Sequence, residues 1–117
     1  MANILLVEDN AEMRVLLQEL LEWGGHHVTC ERTGQDGLTS LLNAAHLPDV
    51  IISDLIMPGM DGLTFLQRIR QNPRWSHIRF IIMSGDSQAE RLQESRAYAD
   101  GVLPKPFSLN DLQRIIG

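Results

Sequence analysis

The sequence has little of several things, and each scarcity excludes a class of protein. It holds one cysteine, Cys30, so no disulfide can close within the chain, which suits a reducing compartment. The longest apolar runs, Ile4 to Val7 and Phe80 to Met83, are far shorter than the ~20 residues a helix needs to cross a bilayer. Met1-Ala2-Asn3 carries no basic segment leading into a long apolar stretch, so no secretory signal is expected. Basic residues number 10 against 15 acidic, a formal net charge of −5, which argues against the broad positive footprint that nucleic acid requires. Repeats, low-complexity segments and linkers are not seen. The expectation is a cytoplasmic protein with no membrane segment and no direct nucleic-acid contact. The four histidines, His26, His27, His46 and His77, lack metal-ligand spacing and are expected on the surface or in loops.

What remains is 117 residues, one domain's worth, able to bury roughly two thirds of its unfolded surface. Four short apolar runs stand out: Ile4 to Val7, Val50 to Ser53, Phe80 to Met83 and Val102-Leu103. Continuous apolar runs of this length, rich in β-branched or aromatic residues, are what strands buried on both faces look like. His27 to Cys30 reads as a weaker strand, with Cys30 a small packing residue. Between the runs lie helical patterns. Asn10 can cap a helix carrying Val15, Leu16, Leu20 and Leu21, ended by Gly24-Gly25. Gln35 to Ala45 carries Leu38, Leu41 and Leu42. Leu63, Leu66, Ile69 and Arg70 form a third helix that stops before Pro73, with Asp61 as its cap. Ser87 to Ala99 form a more polar fourth, with Leu92, Ala97 and Tyr98 as inward anchors. Ser108 to Asp111 resembles a capping box and starts a fifth. Trp23 and Trp75 read as packing groups at element ends, and the arginines as decoration on helix faces.

Strands alternating with helices imply right-handed crossovers and a parallel sheet covered on both faces. The fold class expected is α/β: a single doubly wound domain of five strand–helix units with the flavodoxin-like strand order 2-1-3-4-5. In that order the carboxyl ends of strands one, three, four and five are neighbours. Glu8 and Asp9 follow the first, Asp54 ends the third, Ser84 ends the fourth and Lys105 lies just past the fifth. Three carboxylates brought so close repel one another, and one stays protonated unless a cation intervenes. Mg²⁺ suits such a site, because it prefers oxygen ligands and commonly binds one or two carboxylates together with phosphate oxygens. Lys105 and the Ser84 hydroxyl are placed to hold phosphoryl oxygens, and a carboxylate that attacks phosphorus yields an acyl phosphate.

Taken in order, these motifs resemble the receiver domain of bacterial two-component response regulators over essentially the whole chain. The resemblance rests on Leu6-Val7-Glu8-Asp9-Asn10, on Ile52 to Gly62 around Asp54, on Ser84-Gly85, and on Lys105-Pro106-Phe107. It implies that Asp54 is the phosphoacceptor, supplied by a histidine kinase or phosphotransfer protein. It implies that Glu8, Asp9 and Asp54 hold Mg²⁺ together with the backbone carbonyl of Ile56. It implies that Ser84 and Lys105 bind the phosphoryl oxygens, and that the Lys105–Pro106 peptide is cis and turns Lys105 to the pocket. Such a domain acts on itself only, through its own phosphorylation and dephosphorylation, and is not an enzyme with an independent substrate.

Three other readings compete. A flavodoxin-like FMN protein needs a hydroxyl- and glycine-rich loop where this chain has Glu8 and Asp9. An aspartyl phosphatase or phosphomutase usually has a second Asp where this chain has Ile56. A receiver used for docking, with little phosphorylation-driven switching, is favoured by Val102, which stands where the family usually carries an aromatic ring. The segment from Ser84 to Lys105 is also short for the family, and the thinly apolar fourth helix is expected to be mobile. The chain reaches Gly117 soon after the fifth helix begins. Residues 1–117 are therefore expected to be a receiver unit of a longer regulator or hybrid kinase, with an output module beyond residue 117.

Overall fold

The computed structural model describes residues 1–85 and 89–117. In chain order these form β1 (Asn3–Val7), α1 (Ala11–Trp23), β2 (His27–Glu31), α2 (Gly34–Asn43) and β3 (Val50–Asp54). There follow α3 (Gly62–Gln71), β4 (Arg79–Ser84), α4 (Ala89–Ser95), β5 (Gly101–Pro104) and α5 (Leu109–Ile116). The sheet is parallel, in the order β2-β1-β3-β4-β5. The expected doubly wound α/β architecture is what the chain adopts. The expected start of the fourth helix at Ser87 lies outside the described residues, and after Ser95 the chain turns.

Why the strands read as unbroken apolar runs is visible in the two cores. Side chains alternate across a strand. Leu5, Val7, Ile51, Phe80 and Ile82 pack with α2 and α3 on one face. Ile4, Leu6, Val50, Ile52, Ile81, Met83 and Leu103 pack with α1 and α5 on the other. Both parities are buried, so both are mainly apolar. Burying a large aliphatic or aromatic side chain stabilises by about 1.5–3 kcal/mol, and these two layers carry most of that gain.

The helix starts follow from side-chain caps. Asn10, Thr33, Asp61 and Ser108 each accept a backbone N–H three residues on, and Ser108 with Asp111 forms a complete capping box. Each such cap contributes about 1 kcal/mol. The buried face of α1 is the expected one only in part: Leu21 is buried and Leu20 packs on the core. Leu17 and Leu21, four apart, point inward, whereas Val15 and Leu16 are half exposed. Trp23 is a further correction: two residues past Leu21 on a 3.6-residue repeat it faces outward, and it is 77% exposed. Trp75 packs in the core as expected. In α2, Leu38 and Leu41 are buried but Leu42 is exposed. In the fourth-helix region, Leu92 and Ala99 pack on the core and Ser95 is buried, while Ala97 and Tyr98 face outward. Cys30 packs on the α1/α5 core as expected.

Two arginines expected as helix-face decoration clamp the backbone instead. Arg70, at the end of α3, donates to the carbonyls of Ser76 (3.0 Å), Ile78 (2.6 Å) and Tyr98 (2.9 Å). It also pairs with Asp100 at 2.7 Å, which in turn accepts the Phe80 N–H. Arg79 donates to the carbonyls of Ile115 and Ile116 at the end of α5.

Candidate functional site

Register assembles the site as a staircase. Val7 lies opposite Ser53, so Glu8 and Asp54 each come one residue later on adjacent strands. Asp54 lies opposite Met83 and Ser84 opposite Pro104, which brings Lys105 to the next step. The Lys105 N–H donates to the Ser84 carbonyl at 2.7 Å, and the Lys105–Pro106 peptide is cis.

The loop after β3 holds Asp54 tightly. The Leu55 N–H donates to Met83 O (2.9 Å), and the Gly62 N–H donates back to Leu55 O (2.8 Å). This return is so close that a Cβ on Gly62 would lie 2.3 Å from the Asp54 carbonyl oxygen. Only glycine allows the start of α3 to press against the end of β3 in this way.

Carboxylate oxygens of Glu8, Asp9 and Asp54 lie within 4.8 Å of one another. Glu8 is 1% and Asp54 8% exposed, whereas Asp9 is exposed. Lys105 Nζ donates to Asp54 Oδ2 at 2.9 Å and to Glu8 Oε1 at 3.4 Å. These groups, with Asn10, Glu12, Met13, Leu16 and Ile56, line an open cleft of about 590 Å³.

Burial and then the Asp54 charge push the Glu8 carboxyl up to about 7, against the opposing pull of the Asn10 N–H and Lys105. Burial works to lower the Lys105 pKa, but its hydrogen bond to Asp54 and the charges of Asp54 and Glu8 raise it above the ordinary value. One ammonium therefore faces three carboxylates. The donor set is all oxygen, negatively charged in excess and open to solvent on one side, which is the chemistry a hard divalent cation requires. The acidic triad can hold such an ion.

Of the residues expected at the site, Glu8, Asp9, Asp54 and Lys105 come together. Ile56 lines the cleft with a half-exposed side chain. Ser84 stands apart. In the alternation of β4 it follows Ile82, on the α2/α3 face, and its hydroxyl donates to the Gly85 carbonyl at 3.0 Å. It is buried and is not among the residues lining the cleft. Asp61 caps α3 as expected and also pairs with Arg91 of α4. Val102 is half-buried in β5.

Two contacts of the acidic turn had not been anticipated. The Asn10 N–H donates to Glu8 Oε2 at 3.2 Å, and Arg14 Nη1 donates to the Glu8 carbonyl at 3.0 Å. The signal available was an arginine in the first turn of α1, close behind the acidic pair.

Comparison with known proteins agrees with this geometry. The family model for the response regulator receiver domain matches residues 4–117. The KDP operon transcriptional regulatory protein KdpE of Escherichia coli (strain K12) is 39% identical over 97% of this chain and 48% of its own length. The probable chemotaxis protein CheY of Rhizobium etli is 32% identical over 97% of this chain and 88% of its own. Thus the chain spans about half of the transcriptional regulator and most of the chemotaxis protein. Among solved structures, the signal receiver domain of a signal transduction histidine kinase from Syntrophus aciditrophicus superposes with a TM-score of 0.90 at 28% identity. That match covers 99% of this chain and 87% of the other. Among the described residues, no helix is long and apolar enough to cross a membrane. The chain belongs to the response regulator receiver domain family, a module of phosphotransfer signalling whose chemistry is confined to its own phosphorylation and dephosphorylation.

Proposed function

We propose that Asp54 is the residue that takes the phosphoryl group. The observation that carries this is the hydrogen bond from Lys105 Nζ to Asp54 Oδ2 at the floor of a cleft that also gathers Glu8 and Asp9. The donor is a histidine kinase or phosphotransfer protein bearing a phosphohistidine. An Asp54 carboxylate oxygen attacks phosphorus, the P–N bond breaks, and its electron pair returns to the imidazole nitrogen. The product is an acyl phosphate on Asp54. Water attack on that phosphorus later breaks its bond to the Asp54 oxygen, releases inorganic phosphate and restores the carboxylate. Glu8 and Asp9, with Asp54 and the backbone carbonyl of Ile56, would hold Mg²⁺. When bound, Mg²⁺ offsets the negative charge of the carboxylates and of the incoming phosphoryl oxygens. Lys105 leaves Asp54 Oδ2 and follows a phosphoryl oxygen as a mobile point charge. Ser84, whose hydroxyl donates to Gly85 in this structure, turns its side chain toward the cleft to bind a second phosphoryl oxygen.

The partner brings its histidine over Met13, Leu16 and Ile56, the apolar rim of the cleft. Residues 1–117 act as one receiver unit in the cytoplasm. Its output is a module joined beyond residue 117, as in a protein of KdpE's length, or a separate partner. A second reading, a docking receiver with little switching, is favoured by Val102 and by the Ser84 hydroxyl being engaged with Gly85.

Incubation with acetyl phosphate and Mg²⁺, followed by intact mass, tests the assignment. The wild-type chain gains one phosphoryl group and Asp54→Asn gains none. No adduct on the wild type, or an equal adduct on Asp54→Asn, removes the assignment. A wild-type adduct that leaves the amide spectrum of β5 and α4 unchanged selects the docking reading.

A further inference from the structure

We propose that Arg14 is a positioning residue for the cation site: its guanidinium fixes the Glu8–Asp9 peptide and thereby aims the Asp9 carboxylate. This rests on the reading of the cleft given above. β1 ends at Val7, so the Glu8 carbonyl lies past the sheet ladder, and a half-buried carbonyl needs a partner. Arg14 Nη1 supplies it at 3.0 Å. Other parts of Glu8 are held separately: its N–H by the Glu31 carbonyl at 3.1 Å and its carboxylate by the Asn10 N–H at 3.2 Å. Of these three bonds, the one from Arg14 falls on the peptide that leads into Asp9. Asp9 is the exposed member of the triad, so its direction depends most on the backbone beneath it.

The base of the arginine is itself fixed. Its N–H donates to the Asn10 carbonyl at 2.9 Å, and Asn10 Oδ1 caps the Met13 N–H. Half-buried, Arg14 reaches back from the first turn of α1 across the acidic turn. It differs in kind from Lys105. Lys105 occupies carboxylate oxygens and must yield them when a cation or phosphoryl group arrives. Arg14 donates to a backbone carbonyl, so a cation or phosphoryl group arriving at the carboxylates does not compete for its bond. Partners that orient metal ligands in this way typically change metal affinity by about 10–100-fold when removed.

The test is a Mg²⁺ titration of the metal-free chain, read from the backbone amide shifts of Asp9 and Asn10, with urea midpoints in the same buffer. Arg14→Gln is expected to bind Mg²⁺ about tenfold more weakly, with its urea midpoint little changed and faster exchange of the Asn10 amide before metal is added. Arg14→Lys is expected to recover part of the affinity. Arg14→Met, which keeps the packing of the stem, replaces Arg14→Gln if the latter does not fold. Mg²⁺ affinity equal to wild type in the folded variant overturns the proposal. So does a loss of affinity that only mirrors a loss of stability, the mark of a merely structural arginine. A wild-type chain that binds no Mg²⁺ instead overturns the reading of the cleft on which the proposal stands.

Discussion

The β3–α3 unit and the α4–β5 edge sit side by side in one sheet, yet they are built differently. All five residues of β3 are buried, and α3 buries Gly62, Leu63, Phe65, Leu66 and Ile69. β5 buries only Leu103 of its four residues, and α4 only Ser95. The first unit carries Asp54, the proposed phosphoacceptor. The second lies at the sheet's margin, beyond Ser84. Dense packing holds a side chain in place, whereas thin packing leaves a segment able to open on its own, because local stability follows the apolar surface a segment buries. The acidic cleft thus stands on the densely packed part of the sheet, beside a thinly packed edge.

The sharpest way to break that contrast is one methyl group on each side. Gly62→Ala sets a Cβ 2.3 Å from the Asp54 carbonyl oxygen and 2.8 Å from Leu55 Cα, both backbone atoms. The backbone must shift, so a loss of about 3 kcal/mol in urea denaturation is expected. Gly101→Ala, in β5, meets the end of the flexible Ile115 side chain at 3.1 Å. Its effect is expected to stay within about 1 kcal/mol. Equal losses at the two positions would erase the distinction.

The next test uses protons. Glu8 titrates near 7 in the fold because of burial and the Asp54 charge, against 4.5 as the ordinary value. For an acid raised on folding, the stabilising contribution is full below the unfolded pKa and is lost as pH rises through the folded one. In metal-free buffer the chain should therefore lose about 1–2 kcal/mol between pH 5 and pH 7.5. Glu8→Gln should be flatter over the same window. The four histidines are common to both proteins, so the difference between the two profiles isolates Glu8. Millimolar Mg²⁺ should reduce the wild-type slope by supplying the positive charge that the proton otherwise brings. Superimposable profiles for wild type and Glu8→Gln would show that the cleft is already balanced without an added cation.

Much of this arrangement was legible in the sequence because the signals were local. Unbroken apolar runs report strands buried on both faces. Asn10, Asp61 and Ser108 report helix starts, since a cap needs only a backbone three residues away. Once strand order is known, Glu8, Asp9, Asp54 and Lys105 must converge, and Lys105 is the chain's single lysine. What escaped were contacts to distant backbone. Arg70 reaches Tyr98 and Arg79 reaches Ile116, and a carbonyl carries no side-chain identity that a sequence could reveal. Arg14 was hidden for the same reason. The inward face of α1 was only half legible, with Leu20 and Leu21 packing as expected but Leu17 in place of Val15 and Leu16, because five apolar residues crowd the helix with more than one face can take. The Ser84 hydroxyl, expected to bind a phosphoryl oxygen, donates to the adjacent Gly85 carbonyl in this structure.

The smallest expected effect concerns the tie between the two regions. Asp61 caps α3 and pairs through its other oxygen with Arg91 of α4. Burial works to raise the Asp61 carboxyl, but the Thr64 N–H and Arg91 outweigh it and hold the group below its ordinary value. The pair is partly exposed, with 40% of the Arg91 side chain accessible, so it contributes no more than about 0.2–1 kcal/mol. Arg91→Ala should therefore leave global urea stability almost unchanged. It should still speed amide exchange in α4, where Leu92 and Ser95 are the remaining inward anchors, without changing exchange in α3. Asp61→Ala, which also removes the cap, should speed exchange in both helices. In the wild type itself, α4 amides should exchange faster than those of α3. If Arg91→Ala leaves α4 exchange untouched, the ion pair does not restrain the helix, and α4 depends on its few apolar contacts alone. If α3 and α4 are equally protected in the wild type, the thin edge is as stiff as the unit that carries Asp54.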